Sequence, residues 1–264
     1  MIGIVTPTLN SEKYLKFTFE SIRKMIDDGE CKYLIVDGGS SDNTLKFCSE
    51  NFIKAFYLPK GNMYKAINFG LKKLDVEWLT YVNSDDILNA EAVLDAIDKY
   101  GENADIIYGN TSYIDECGRL IYRYKGAHTS LFDGLFLNGQ LPFSQPGTII
   151  RANIFYKFGG FSEAYKYASD LDFFIAAYLD GVKFIKYKFD DLASFRKHES
   201  QITHTQSNAM NLEINEILRK YQNDLNKKYL GLDIYINKLI NFKSFFSRFL
   251  YFIKRLCERK KNGC

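Results

Sequence analysis

The chain of 264 residues is 46% hydrophobic and 25% charged, which suits one large α/β domain or two small ones and excludes disordered, collagenous and low-complexity classes. The net charge of +3 is uneven: residues 236–264 hold eight Lys and Arg against Glu258 alone, a local +7 that leaves the rest at −4, so the body lacks the basic face that nucleic-acid binding needs. Five scattered cysteines (Cys31, Cys48, Cys117, Cys257 and Cys264) have no CxxC spacing, which argues against a zinc knuckle or a disulfide framework and fits a reducing cytosol.

Short β-branched or aromatic runs alternate with helical-period segments, the signature of a mainly parallel sheet covered by helices. The pattern predicts strands at 2–6, 33–37, 54–58, 78–82 and 106–108, with helices at 12–25, 42–50, 64–73 and 90–99 between them. Residues 111–124 read as a hairpin turning at Gly118. Beyond it come a loop at 126–145, a strand at 148–151, a turn at Gly159-Gly160, a helix at 172–179, strands at 184–187 and 192–195, and a helix at 210–221. No repeat and no Pro/Gly/Ser linker divides the chain. The expectation is a doubly covered mixed sheet over 1–205 with a helical region at 206–264.

Ligands of open α/β sheets sit beyond the carboxyl ends of the strands, and the residues there are polar: Thr6-Pro7-Thr8-Leu9-Asn10, Asp37-Gly38-Gly39-Ser40-Ser41-Asp42 and Asn83-Ser84-Asp85-Asp86. Paired carboxylates at a strand end repel one another unless a cation or ligand sits there, and hard oxygen donors suit Mg²⁺ or Mn²⁺ carrying a diphosphate. A plainer role is capping the helix at Ala90. Asp37 can bond a ribose or base edge from its tight turn, while Asp42 caps the next helix. Gly61-Asn62 can turn backbone N–H groups toward a ligand.

The series TPTLN, VDGGSSDNT, GNMYKAINFG, NSDD, QPGTIIR, GGF and ASDLDF, in that order over residues 2–203, resembles the family 2 glycosyltransferases of the GT-A (Rossmann-like) fold, and the DGGSSDNT form is most similar to members that build bacterial surface polysaccharides. The resemblance implies an inverting, metal-dependent transfer of a sugar from a nucleotide sugar, UDP-linked, to a glycan or lipid-linked acceptor. It implies that Thr6, Pro7, Asn10, Asp37 and Gly39 cradle the nucleotide, and that Lys65 and Asn68 line the sugar-nucleotide. Asn83-Ser84-Asp85 matches the DxD motif, so Asp85, with Asp86 and His198, would hold Mn²⁺ or Mg²⁺. Asp170 matches the general base, and Asp172 is the fallback. Four positions depart from the family pattern: Asn83 stands for the first Asp of DxD, Gly38 for a second Asp, and Lys60 and Lys65 for acids. The chemistry needs these parts on its own account, because the leaving diphosphate must be stabilised and the acceptor hydroxyl must lose a proton. A sugar-phosphate nucleotidyltransferase would need a Gly-rich basic loop after the first strand, which TPTLNSEKY lacks; a non-catalytic nucleotide-sugar or glycan-binding module would not need Asp85 and Asp170 together.

The opening MIGIVTPTLN shows no export signal. In the tail, Leu239, Phe242, Phe246, Phe249, Ile253 and Leu256 recur at spacings of three and four, with Lys243, Arg248, Lys254 and Arg255 off that stripe. Such a basic amphipathic helix reads as an anchor on an anionic membrane surface, placing the protein on the inner face of the membrane. Packing on the domain and a dimer seam are the other readings, and the oligomeric state stays open.

Overall fold

A computed structural model describes residues 1–198, 206–225, 230–244, 246–247, 249–251 and 253. The elements run β1 (Ile2–Thr8), α1 (Leu15–Asp27), β2 (Cys31–Asp37), α2 (Thr44–Glu50), β3 (Ala55–Tyr57), α3 (Met63–Leu71), β4 (Trp78–Tyr81), β5 (Ile87–Leu88), α4 (Ala90–Tyr100), β6 (Ile106–Ile114), β7 (Leu120–Tyr124), α5 (Phe132–Leu137), β8 (Ile149–Arg151), α6 (Ala152–Lys157), α7 (Ser169–Leu179) and β9 (Phe184–Arg196). Two helices follow, Ser207–Tyr221 and Leu230–Ile240.

Among the described residues the strands form one sheet in the order β3-β2-β1-β4-β8-β6-β9-β5, and β7 extends from β6. Strands β1 to β4 are mutually parallel. Antiparallel β8 links β4 to β6, and β6 runs parallel to β9. This is the expected mixed, mainly parallel sheet. Strands buried on both faces read as continuous apolar runs; β1 and β4 do so because helices cover them on each side. Ile22 and Met25 of α1 and Val93 and Ala96 of α4 pack with Ile2, Ile4 and Val82 on one face. On the other face Ile67, Leu71, Phe155 and Phe174 pack with Val5, Leu34 and Val36. The carboxyl ends of β1 and β2 lie in register, Thr8 beside Asp37, with β4 on the other side of β1.

Several expectations change. The strands expected at 184–187 and 192–195 are one strand, β9, because its pairing with β6 continues across a bulge. The loop at 126–145 contains a 3₁₀ turn at Thr129–Leu131 and α5, whose Phe132, Leu135 and Phe136 are fully buried. The helix expected from 172 begins at Ser169, which puts Asp170 in its first turn. The short elements β5 and α6 were too brief to show a period. Of the tail, Leu256, Arg248, Lys254, Arg255, Arg259, Lys260 and Lys261 lie outside the described residues. Among the described residues no helix is long and apolar enough to cross a membrane.

Candidate active site

The loops after β1 and β2 are zipped together by their own polar side chains. Asp37, nearly fully buried, accepts from the Thr8 hydroxyl (2.8 Å), the Ser40 hydroxyl (2.5 Å) and the Gly39 and Ser40 N–H groups (2.8 Å each). Burial pushes its pKa up, but the Ser40, Thr8 and Gly39 donors outweigh this and hold it below the ordinary carboxylate value. The Asn10 amide oxygen accepts from the Ser41 N–H (2.8 Å), and Ser40 Oγ accepts from the Asn10 N–H (2.8 Å). Asn10 itself sits at φ 52°, a left-handed conformation that Asn tolerates better than most residues. Ser11 and Glu12 continue the seam to Thr44, Asp42 and Asn43.

The cradle therefore differs from the expectation in one particular. Thr6 is fully buried within β1; Thr8, two residues on and therefore on the same side of the strand but at its carboxyl end, makes the link to Asp37. Pro7 is half-buried within β1. What remains open is the turn itself. At Gly39 (φ 96°) a Cβ would touch the Tyr57 ring at 3.4 Å, and at Gly38 it would meet Leu9 at 3.4 Å and Lys60 at 3.5 Å. Leu9, Tyr57 and Lys60 are exposed.

Beyond β4, Ser84 Oγ hydrogen-bonds Ser11 Oγ (2.8 Å), joining this turn to the cradle. Asp85 Oδ2 lies 2.7 Å from His198 Nε2, and the imidazole packs on Tyr14 with ring centroids 5.0 Å apart. Asp86 corrects the expectation of a shared metal ligand. It is fully buried, with one oxygen accepting from the Arg196 N–H (3.0 Å) and the other from the Asn83 amide (3.3 Å). Burial and the neighbouring Asp85 charge push its pKa well above the carboxylate range. Asp86 fastens the turn to β9 while Asp85 meets His198. Arg196, which sequence reading passed over, is the strut. Its guanidinium donates to the Asp85 carbonyl (2.9 Å) and to the Asp115 and Glu116 carbonyls, and packs over Tyr14 and Phe17.

Asp170 lies beside Tyr64 and Tyr81. Burial raises its pKa, and the Tyr64 hydroxyl, directed at its carboxyl, pulls the other way. The Tyr81 hydroxyl, at the end of β4, feels the charges of both Asp170 and Asp86, so the two acidic centres share one strand end. Asp172 points elsewhere, pairing with Lys220 of the Ser207–Tyr221 helix at 2.9 Å; this removes it as a fallback base. That helix also holds the approach to α7: the Glu213 carboxylate accepts from the N–H groups of Lys166 (2.8 Å), Tyr167 (2.7 Å) and Ala168 (3.0 Å).

Asn68 is buried and its amide bonds the backbone of one residue, donating to the Phe161 carbonyl (2.7 Å) and accepting from the Phe161 N–H (2.9 Å). It clamps the Phe161 backbone to α3. Gly160 (φ 89°) beside it leaves no room for a Cβ, which would lie 2.7 Å from the Asn68 oxygen. Lys65 is exposed in the first turn of α3.

Among the described residues no three His, Cys, Asp or Glu side chains are preassembled as a metal site. The donors that do meet, the Asp85 carboxylate and the His198 imidazole, fit a divalent cation that keeps positions for diphosphate oxygens, as Mg²⁺ and Mn²⁺ do. Among the described residues the buried Asn83 Oδ1 in the same turn has no hydrogen-bond partner.

The sequence profile of Glycosyl transferase family 2 matches residues 3–165, and the chain belongs to that family. Among curated proteins it is similar to glycosyltransferase GlyG of Streptococcus pneumoniae serotype 4, 30% identical over 131 residues, which cover 47% of this chain and 43% of GlyG. TarS of Staphylococcus aureus, a poly(ribitol-phosphate) β-N-acetylglucosaminyltransferase, is 33% identical over 101 residues, 36% of this chain and 18% of TarS. The chain thus spans less than half the length of these relatives. The crystal structure of TarS 1–349 with UDP-GlcNAc shares the fold (TM-score 0.63, 22% identity, 84% of this chain and 72% of that one). So does that of glucosyl-3-phosphoglycerate synthase from Mycobacterium tuberculosis with Mn²⁺, UDP-glucose and phosphoglyceric acid (TM-score 0.59, 16% identity, 86% and 81%).

Proposed function

We propose that this member of the family transfers a hexose or N-acetylhexosamine from a UDP-linked donor to a glycan or lipid-linked acceptor in cell-surface polysaccharide synthesis, with inversion at the anomeric carbon. The observation that carries the reading is the meeting near the end of β4 of the Asp85–His198 pair and the half-buried Asp170, which lies beside Tyr64 and Tyr81. The donors in the TarS and mycobacterial structures support UDP.

The Thr8–Asp37 and Asn10–Ser41 bonds hold the cradle rigid, and the base lies over Gly38-Gly39 between Leu9 and Tyr57. Lys60 and Lys65 face phosphate. Asp85 and His198, with Asn83 and Ser84 alongside, would hold Mn²⁺ or Mg²⁺, which would supply Lewis-acid stabilisation of the departing diphosphate. The acceptor hydroxyl oxygen attacks the anomeric carbon, the bond from that carbon to the diphosphate oxygen breaks, and the hydroxyl proton passes to Asp170. Burial keeps this carboxylate basic enough to accept it. Asn68 contributes at one remove by fixing Phe161, and the Gly159-Gly160 turn with it.

Residues 1–205 form the transferase unit and residues 206–264 a helical region that braces α7 through Glu213 and meets the membrane on its cytoplasmic side. Calorimetric titration with UDP in Mn²⁺ and in EDTA, beside a UDP-GlcNAc turnover assay, tests the reading. Metal-dependent UDP binding with turnover is expected. Binding that EDTA leaves unchanged removes the metal from the reading, and binding without turnover of any UDP-sugar turns the chain into a binding module.

A further inference from the structure

The Leu230–Ile240 helix and the helical residues that follow it meet the body with their polar side. Asp233, Asn237, Asn241 and Ser244 are buried. Asp233 accepts from the Gly134 N–H of α5 (3.2 Å); Asn241 accepts from the Lys125 N–H (2.7 Å) and donates to the Lys125 carbonyl (3.2 Å). Asn237 donates to the Tyr124 hydroxyl (3.4 Å), and the Ser244 hydroxyl donates to the Arg123 carbonyl. Residues spaced by four, four and three thus knit one helix face onto the end of β7 and onto α5.

The opposite face is apolar and turned to solvent. Tyr235, Leu239, Phe242, Phe246, Phe249 and Ile253 recur at spacings of four and three and are all exposed, Phe242 at 66%. A solvated helix carries charge on that side, and a contiguous exposed apolar patch marks an interaction surface. The spacing fits two occupants, a second copy or a lipid surface. Lys238 and Lys243 are exposed beside the stripe, and no acidic residue occurs between Asp233 and Glu258. A second copy packed on this seam would bring Lys against Lys at the flanking positions, where paired helices use opposite charges. An anionic headgroup layer offers those lysines a counter-charge and the aromatic side chains an apolar boundary.

We infer that the C-terminal helix is built inside out, a polar latch holding it on the body so that a preset aromatic face meets an anionic bilayer. This deepens the membrane location proposed above and is independent of the transfer chemistry. Because the latch fixes the helix before contact, less ordering entropy is lost on docking.

The test is sedimentation of the full chain with phosphatidylcholine vesicles, with and without phosphatidylglycerol, for the wild type, Phe242→Asp/Phe246→Asp and Lys238→Glu/Lys243→Glu. The wild type should pellet with phosphatidylglycerol vesicles. The Phe pair should lose more than about tenfold in vesicle affinity and the Lys pair several-fold, selectively on the anionic vesicles. UDP affinity by calorimetry should be unchanged in both, which reports intact folding at solvent-facing sites. Equal pelleting of wild type and Phe pair overturns the inference, as does a wild-type dimer that the Phe pair splits into monomers without vesicle binding by either. Vesicle binding in a protein that does not bind UDP would leave this inference standing and defeat only the donor reading.

Discussion

The proposed nucleotide side of the site and the proposed base side are held in different ways. The loops after β1 and β2 brace each other: Thr8, Asn10, Ser11 and Glu12 reach Asp37, Ser41, Thr44 and Asn43, all across the ends of two adjacent parallel strands. The segment before α7 is braced from a helix more than forty residues further along the chain, through Glu213, and from α3, through Asn62 and Asn68. A cradle that satisfies its own hydrogen bonds is rigid without outside help. The proposed base, set by three clamps from elsewhere, depends on the whole fold, so damage far from Asp170 should reach catalysis before it reaches donor binding.

Substitutions can break that contrast, the largest effect coming first. Asp170→Asn should lower transfer by about a thousandfold while UDP affinity stays within error, since a positioned base contributes about 10²- to 10⁴-fold. The wild type should lose kcat/KM as pH falls through a pKa above 3.8, because burial raises the Asp170 value and only the deprotonated form accepts the proton; an acid limb below 3.8 would exclude it. Asp85→Ala should weaken Mn²⁺-dependent UDP binding by about 10- to 100-fold, read by calorimetry against an EDTA control.

Glu213→Ala sharpens the comparison. It leaves three N–H groups unpaired ahead of α7, so kcat should fall about tenfold or more with the donor KM unchanged, and Glu213→Gln should recover part of the loss. Equal falls in kcat and donor affinity would mean that the two sides are not separately held. Asp37→Ala acts on the other side. It strands four donors and should cost about 1–3 kcal/mol of stability in urea titration at pH 7. The folded Asp37 pKa lies below its unfolded value, so its contribution is present above that unfolded value and lost as pH falls through the folded one; the gap between wild type and variant should narrow accordingly. Smallest, Tyr57→Ala should weaken UDP binding by a few-fold through lost stacking on the base.

Much of this was legible in the residues alone. The alternation of buried strands and amphipathic helices fixes a covered parallel sheet, because a strand with helices on both faces must be apolar throughout and a surface helix must be apolar on one side. Strand-end loops follow from that topology, and so does the polarity of TPTLN, DGGSSD and NSDD. The tertiary structure decided which of those polar groups face outward. Thr6 and Thr8 differ by no residue type and lie on the same side of β1, and only their places along the strand, Thr6 opposite Ile35 and Thr8 opposite Asp37, make one interior and the other a partner of Asp37. Asp85 and Asp86 are the same residue twice, yet the Arg196 N–H draws one inward while the other meets His198. Asp172 is taken by Lys220, and Glu213 supports a segment 45 residues and more away from it in sequence. Periodicity reports the face of an element from its own residues; a hydrogen bond or ion pair between distant segments depends on where the chain folds back, which no local pattern records.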